Sequence, residues 1–141
     1  MSTKGLNTLI RAQRWRLDEQ RRQLAELGRM KSEMETQVAA IDDQFAAEQR
    51  AAGEDRDVVF AFPAYAREMR TRRNAILQSV EELERQIERA HEDVSAAFQE
   101  LKRYELAVEA DERKRELAER RREQRDMDER AARMLMRRAG Y

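Results

Sequence analysis

The side chains that could carry out chemistry in this sequence are carboxylates, guanidinium groups and one imidazole. His91 is the only histidine, and there is no cysteine. A single imidazole without thiolates does not supply the ligand set of an ordinary zinc site. The glycines are isolated and form no phosphate-binding loop; they are Gly5, Gly28, Gly53 and Gly140. We therefore predict no metal or cofactor site, and we interpret His91 as a helix-surface residue.

The acidic side chains could act as general acid and base only in a site that shields them from water. Charged residues make up 41% of the chain, and the 29 basic and 29 acidic side chains cancel to a formal net charge of zero. Long paired helices offer no concavity that would desolvate a carboxylate and shift its pKa. The uniformly basic surface typical of a nucleic-acid binder is also missing. We expect neither enzymatic activity nor nucleic-acid binding.

The elements that position these charges are predicted to be two long helices, because the chain has one proline and four glycines. Apolar residues recur at alternating steps of four and three, the spacing of a coiled coil. We call these positions the apolar seam. In the first helix its positions are Leu6, Ile10, Gln13, Leu17, Gln20, Leu24, Leu27, Lys31, Met34, Val38, Ile41, Phe45 and Glu48. In the second they are Met69, Arg73, Ile76, Val80, Leu83, Ile87, Ala90, Val94, Ala97, Leu101, Tyr104 and Val108.

The two runs of the apolar seam predict an all-α fold, a two-helix antiparallel coiled-coil hairpin with a C-terminal helical overhang. We expect one domain over 1–141, with helices over about 5–51 and 63–138 and a loop over about 52–62. Gly53 suits a left-handed helix end, and Pro63 suits the first position of a helix. Folding at this loop brings Phe45 near Met69 and Arg73. The same alignment takes Leu6 to Val108, so the seam of the second helix ends where the first helix runs out.

The segment beyond Asp111 is rich in helix formers but has almost nothing apolar to bury. A helix that is polar on every face must depend on charge pairs or on a partner. Four pairs have the favourable acid-before-base order and are each expected to contribute about 0.2 to 0.5 kcal/mol. They are Asp111 with Arg115, Glu116 with Arg120, Asp126 with Arg130, and Glu129 with Arg133. We predict a helix that awaits a partner.

Three groups of apolar residues leave two interpretations open. Trp15 either points outward and is covered by a partner, or packs on the second helix after a shift in register. Residues 58–65, VVFAFPAY, either cap the end of the hairpin or form a protein-docking tip. Residues 133–138, RMLMRR, suit a protein groove or an acidic membrane surface, and we favour a protein.

With these features, nearly the whole chain resembles the FliJ family, the small coiled-coil components of the flagellar type III export apparatus. The resemblance is carried by the opening LNTLIRAQ, a hairpin near residue 55, a long second helix and the run RREQRDMDERAARMLMR at 121–137. Within that run, Met127-Asp128-Glu129 followed by Arg133 is most similar to the family's ending.

The resemblance implies a cytoplasmic protein that binds the hexameric export ATPase as a central stalk and contacts the export gate, promoting ATPase assembly and coupling. The implied ring contacts are Leu6, Ile10, Arg11, Arg120, Arg121, Arg122, Arg125, Met127, Asp128, Glu129 and Arg133. The implied gate contacts are Tyr65, Met69 and Ile76. Export chaperones are further candidate partners, the protein would be monomeric when free, and it would sit peripherally at the inner-membrane export apparatus. Such a protein is not itself an ATPase.

Two other functions remain open from the residues alone. A structural coiled coil could self-associate through its seam as a scaffold, which predicts a stable dimer. A peripheral membrane or nucleic-acid adaptor could act through the overhang, which predicts salt-sensitive binding to vesicles or DNA. The sequence contains no apolar run long enough to span a bilayer and no signal-peptide core, so we expect a cytoplasmic location.

Overall fold

The fold consists of two long helices joined by a short connection. The computed structural model describes residues 3–140, with Asp57 and Val58 described by their backbone only. Helix α1 spans Thr3–Ala52 and helix α2 spans Arg56–Arg138. No strand occurs among these residues. The predicted all-α class is confirmed.

Burial along both helices follows the predicted apolar seam. Every seam position from Leu6 to Glu48 and from Met69 to Val108 is buried or half-buried, whereas most residues between them are exposed. The most completely buried apolar residues include Ile10, Leu17, Met69, Val80, Leu83, Ala97 and Leu101. The core is thus one stripe on each helix, as a 3.5-residue spacing requires.

The contacts of the chain group into two units, each containing a piece of both helices. In the unit over residues 16–96, Lys31 contacts Glu84 at 3.4 Å and Asp42 contacts Arg73 at 2.8 Å. Residue numbers rise along α1 as they fall along α2, so the helices are antiparallel. The other unit joins residues up to Trp15 with residues from Ala97 onward. The predicted antiparallel hairpin is confirmed, whereas the single domain stays a prediction.

The unit that contains the start of α1 shows the same antiparallel order. The Thr3 hydroxyl donates a hydrogen bond to the Asp111 carboxylate, and the Gln13 side-chain amide donates to the Ala97 carbonyl at 3.1 Å. Gln13 is buried in the apolar seam. Since a buried amide is stable only where it finds a partner, this bond selects one register of the two helices.

The connection is shorter than predicted, because α2 begins at Arg56 rather than near residue 63. The backbone amide of Val59 donates to the Asp55 carbonyl at 3.1 Å, which places Asp55 at the N-cap. Aspartate is among the preferred N-cap residues. The cap at Asp55, rather than Pro63, therefore sets the start of α2. Pro63 lies inside α2, where the hydrogen bond of a residue-63 amide to the Val59 carbonyl is lost. The predicted loop over 52–62 is therefore wrong in its second half.

Gly53 does not take the left-handed conformation that the sequence suggested. Among the described residues, a positive φ occurs only at Gly140, with a φ of 82°. The end of α1 is closed instead by tight turn bonds, in which the Gly53 amide donates to the Arg50 carbonyl at 3.2 Å and the Glu54 amide to the Ala51 carbonyl at 3.0 Å. This turn needs no glycine for its backbone conformation.

We predict that Gly53→Ala leaves the fold intact and raises the free energy of unfolding by about 0.4 to 1 kcal/mol. A Cβ at this position would lie 3.4 Å from the Arg50 carbonyl oxygen, an ordinary contact, while the unfolded chain loses conformational freedom. Thermal and urea unfolding followed by circular dichroism measure the change. Gly140→Ala is the contrasting variant, since its positive φ disfavours a side chain. A clear loss of stability in Gly53→Ala would show that the turn requires a left-handed residue.

Candidate protein-docking surfaces

The overhang, defined as residues 112–138 of α2, is solvent-exposed throughout. Every residue from Glu112 to Gly140 is exposed, whereas Asp111 is half-buried and bonded to Thr3 at the beginning of α1. The overhang starts one residue after Asp111, which contacts Thr3, the first residue of α1. The predicted C-terminal overhang is therefore confirmed.

The charge pairs predicted for the overhang are mostly not formed. Asp111 and Arg115 lie 3.3 Å apart, as expected. The pairs Glu116 with Arg120, Asp126 with Arg130 and Glu129 with Arg133 have no contact within the 4.0 Å limit for an ion pair. Exposed ion pairs gain little over hydration and cost side-chain entropy, which explains their absence. Most charges of the overhang are thus available to a partner.

Asp111 is the best-defined electrostatic feature at the base of the overhang. Hydrogen bonding from the Thr3 hydroxyl, together with the positive charges of Arg115 and Lys114, lowers the pKa of the Asp111 carboxyl below its usual value of 3.8. All three groups stabilise the charged form of the carboxyl. The carboxylate therefore links the first turn of α1 to α2.

The ring contacts implied by the sequence divide into exposed and packed residues. Arg11 on α1 is exposed. The implied contacts on α2 are all exposed as well: Arg120, Arg121, Arg122, Arg125, Met127, Asp128, Glu129 and Arg133. By contrast, Leu6 is half-buried and Ile10 is 7% exposed. Ile10 lies in the apolar seam, and its contact with a ring stays a prediction.

A second candidate surface lies near the α1–α2 connection, as a groove of about 260 Å³. Its lining combines an apolar floor with charged walls: Ile41, Asp42, Phe45, Ala66, Met69, Arg70 and Arg73. The predicted approach of Phe45 to Met69 and Arg73 is thereby confirmed. Sequence analysis did not single out Asp42 or Arg70, although the same antiparallel alignment places them at this point.

The three implied gate contacts differ in their surroundings. Met69 is buried but lines the groove, and Ile76 is half-buried in the apolar seam. Tyr65 packs against Phe62, with ring centroids 6.2 Å apart, and its hydroxyl oxygen is buried without a hydrogen-bond partner. Burial and the nearby Glu48 and Glu68 carboxylates raise the pKa of Tyr65. Of the three residues, Met69 alone lines the groove.

Several large apolar side chains point into solvent. Trp15 is 66% exposed, so its outward orientation is confirmed, while its coverage by a partner stays a prediction. In the segment 58–65, Phe60 is 92% exposed, whereas Phe62 packs on Phe45 with centroids 5.5 Å apart. Capping and exposure thus both occur in this segment, and the side chain of Val58 lies outside the described residues. The end of the overhang exposes Met134, Leu135 and Met136.

The described residues contain no group of three or more metal-ligating side chains. Nor does either helix, over those residues, have an apolar stretch of the length and hydropathy that crosses a membrane. Among the described residues, two surfaces are candidates for a functional site: the exposed overhang and the groove near the connection.

A protein-family comparison adds an independent result. The family model described as FliJ, flagellar FliJ protein, matches residues 2–140. No curated protein and no solved structure matches the chain.

We predict that Thr3→Val raises the pKa of Asp111 toward 3.8, because the hydroxyl that stabilises the carboxylate is lost. In the unchanged protein, a lowered pKa contributes stability above 3.8, and this contribution disappears as the pH falls through the pKa of the folded state. Carboxyl NMR titration measures the shift. Thr8→Val is the matched control, because that hydroxyl donates only to the Lys4 carbonyl of its own helix, at 3.1 Å. An Asp111 titration unaltered by Thr3→Val would contradict the role of this bond.

Proposed function

The chain belongs to the FliJ family of flagellar proteins, and on this premise we propose that it is a non-catalytic stalk of the flagellar protein export apparatus. Its overhang enters the central hole of the hexameric export ATPase, while another surface contacts the membrane export gate. The protein promotes assembly of the ATPase ring and couples it to export. It works at the inner membrane as a peripheral cytoplasmic component.

The observation that carries this proposal is the unpartnered overhang. From Glu112 to Arg138, α2 continues as regular helix with every side chain exposed. At 1.5 Å per residue this segment is about 40 Å long, which is enough to reach deep into a protein ring. An isolated polar helix gains little stability from its own sequence. A partner that surrounds the overhang would supply the stability that its sequence lacks.

The chemistry of the overhang suits a contact that must form and change. Its surface is dominated by charged side chains that have no ion partner among the described residues. Charged contacts give orientation and fast association without the lasting grip of a large apolar interface. Only the end of the helix, with Met134, Leu135 and Met136, offers apolar contact. The proposed ring-facing residues of the overhang, together with Arg11, are exposed, whereas the proposed contacts at Leu6 and Ile10 lie in the apolar seam.

For the gate we propose the groove near the connection. Met69 supplies part of its apolar floor, and Tyr65 and Ile76 support the helices that form it. The exposed Phe60 lies in the same part of α2 and enlarges the apolar area available to a partner. Export chaperones are candidate partners for the remaining surface. Nucleic acid is not proposed as a partner.

The exposed Phe60 and Leu135 side chains also favour a second candidate, a scaffold that self-associates. The two candidates differ in oligomeric state. The stalk is a monomer when free, whereas the scaffold is a stable dimer or larger. Sedimentation equilibrium over a range of concentrations distinguishes them.

We predict that the full chain stimulates the steady-state rate of the cognate flagellar export ATPase and that a chain ending at Ala110 does not. The truncation removes the overhang, and with it the Asp111 bond to Thr3. Circular dichroism checks that the shortened chain keeps its paired helices. Equal stimulation by both chains would show that the overhang is not the ring-binding element. If the folded full chain gave no stimulation, the stalk would be the wrong function.

A further inference from the structure

The last turns of α2 carry apolar side chains that the rest of the overhang lacks. Between Glu112 and Asp126, Leu117 is the only large apolar residue. Four large apolar residues then follow before the helix ends, and all four are exposed: Met127, Met134, Leu135 and Met136. We call residues 127–138 the terminal segment.

The apolar residues of the terminal segment share one face of the helix. Ala131, Met134 and Leu135 follow Met127 by four, seven and eight residues. Side chains at these steps lie on the same face, and they are the anchors by which an amphipathic helix enters an apolar groove of another protein. The spacing is therefore that of a docking helix.

Arginines border this apolar face. Arg130 and Arg137 lie one turn from Met134, and Arg133 lies one turn from Met136. The three arginines are exposed and have no carboxylate of the described residues within the 4.0 Å limit for an ion pair. Unpaired guanidinium groups beside an apolar face complement a groove that has carboxylates on its rim.

The helix is closed directly after the terminal segment. The Ala139 amide donates to the Leu135 carbonyl at 3.0 Å, and the Gly140 amide donates to the Arg137 carbonyl at 3.3 Å. Gly140 has the left-handed φ with which helices commonly end. Arg137 and Arg138, in the last turn, interact favourably with the negative end of the helix dipole. These features keep the apolar face helical to its end, as a docking helix requires.

We propose that the terminal segment is the apolar anchor of the overhang, a short helix that docks into an apolar groove with an acidic rim on the export ATPase. This inference rests on the proposed function, because it assigns the groove to that partner. The charged length of the overhang orients the helix, and the anchor supplies the apolar burial that holds it. Met127, Asp128 and Arg133, which are already proposed as ring contacts, lie within the terminal segment.

The composition of the apolar face favours a protein groove over a lipid surface. Helices that lie in a membrane interface favour Trp, Phe and Leu, whereas three of the four large apolar residues here are methionines, which adapt to irregular protein surfaces. Asp128 lies on the same face, four residues before Ala132 and seven before Leu135. Its carboxylate accepts a hydrogen bond from the neutral Gln124 amide at 3.2 Å. A lipid interior would leave this charge uncompensated, whereas a protein groove can supply a cation or further donors.

The test compares two double variants of the full chain in binding to the cognate export ATPase. The anchor variant is Met134→Gln with Leu135→Gln, at side chains that are 59% and 68% exposed. The control is Leu106→Gln with Leu117→Gln, at side chains of α2 outside the terminal segment that are 58% and 52% exposed. Glutamine is close to leucine and methionine in helix propensity, so both variants should keep their helical content, which circular dichroism checks.

We expect the anchor variant to bind about tenfold or more weakly than the unchanged chain, because truncating a buried apolar anchor removes a large share of the binding energy. The control should bind within about threefold of the unchanged chain. Titration at several salt concentrations measures each dissociation constant. The anchor variant should keep the salt dependence of the unchanged chain, since it retains every charge.

A third variant, Arg130→Gln with Arg137→Gln, tests the acidic rim. It should bind more weakly than the unchanged chain at low salt and show a shallower salt dependence, because it forms fewer ion pairs with the partner. An unaltered affinity and salt dependence would show that the groove has no acidic rim.

The outcomes distinguish this inference from the stalk function. If the unchanged chain binds the ATPase and the anchor variant binds equally well, the terminal segment is not the anchor, while the stalk function stands. Equal weakening by the anchor and control variants would assign the effect to apolar surface in general and overturn the inference. If the unchanged chain fails to bind, the stalk function fails, and this inference fails with it.

Two further measurements test the choice of partner. If the unchanged chain binds vesicles that contain phosphatidylglycerol, and the anchor variant loses only this binding, the face belongs to a lipid surface. If sedimentation shows a stable dimer that the anchor variant converts to a monomer, the face belongs to a second copy of the chain. Either result would overturn the assignment to the ATPase.

Discussion

The structure depends on one constraint: an apolar stripe on α2 is stable only where α1 supplies the facing stripe. The chain has few aromatics, and among its described residues the apolar seam is the main source of buried apolar surface. Wherever the seam has a partner, the side chains on it are buried or half-buried. Thr3, the first residue of α1, contacts Asp111 of α2. The exposed overhang begins at the next residue of α2, Glu112.

Polar groups within the seam fix the register of the two helices more than they stabilise the pairing. Gln13 is buried and satisfies its amide on the Ala97 carbonyl, while Lys31 reaches Glu84 across the helices. Replacing such groups by leucine would add apolar burial, but it would remove a bond that only one register provides. The helices can therefore be long and still be held without slippage.

The two candidate surfaces offer different kinds of interaction, apolar contact in the groove and charged contact on the overhang. The groove near the connection exists because Phe45, Ala66 and Met69 pack around a gap, so it offers apolar area with arginine at its edge. The overhang offers charge without apolar area, apart from its last turns. The two surfaces lie on different stretches of the chain, the groove near the connection and the overhang at the end of α2.

The sequence by itself determined the helical class, the apolar seam and the position where the seam ends, because a 3.5-residue repeat over many turns is compatible with little else. It did not determine the connection. The Asp55 cap favours a start of α2 at Arg56, whereas Pro63 favours a start at residue 63. The packing of Phe62 on Phe45 favoured the earlier start. Tertiary structure alone decided that Gly53 keeps a negative φ, that three predicted ion pairs remain open in solvent, and that Asp42 and Arg70 share a groove. Each of these depends on small energy differences between solvated alternatives, which residue type and spacing do not resolve.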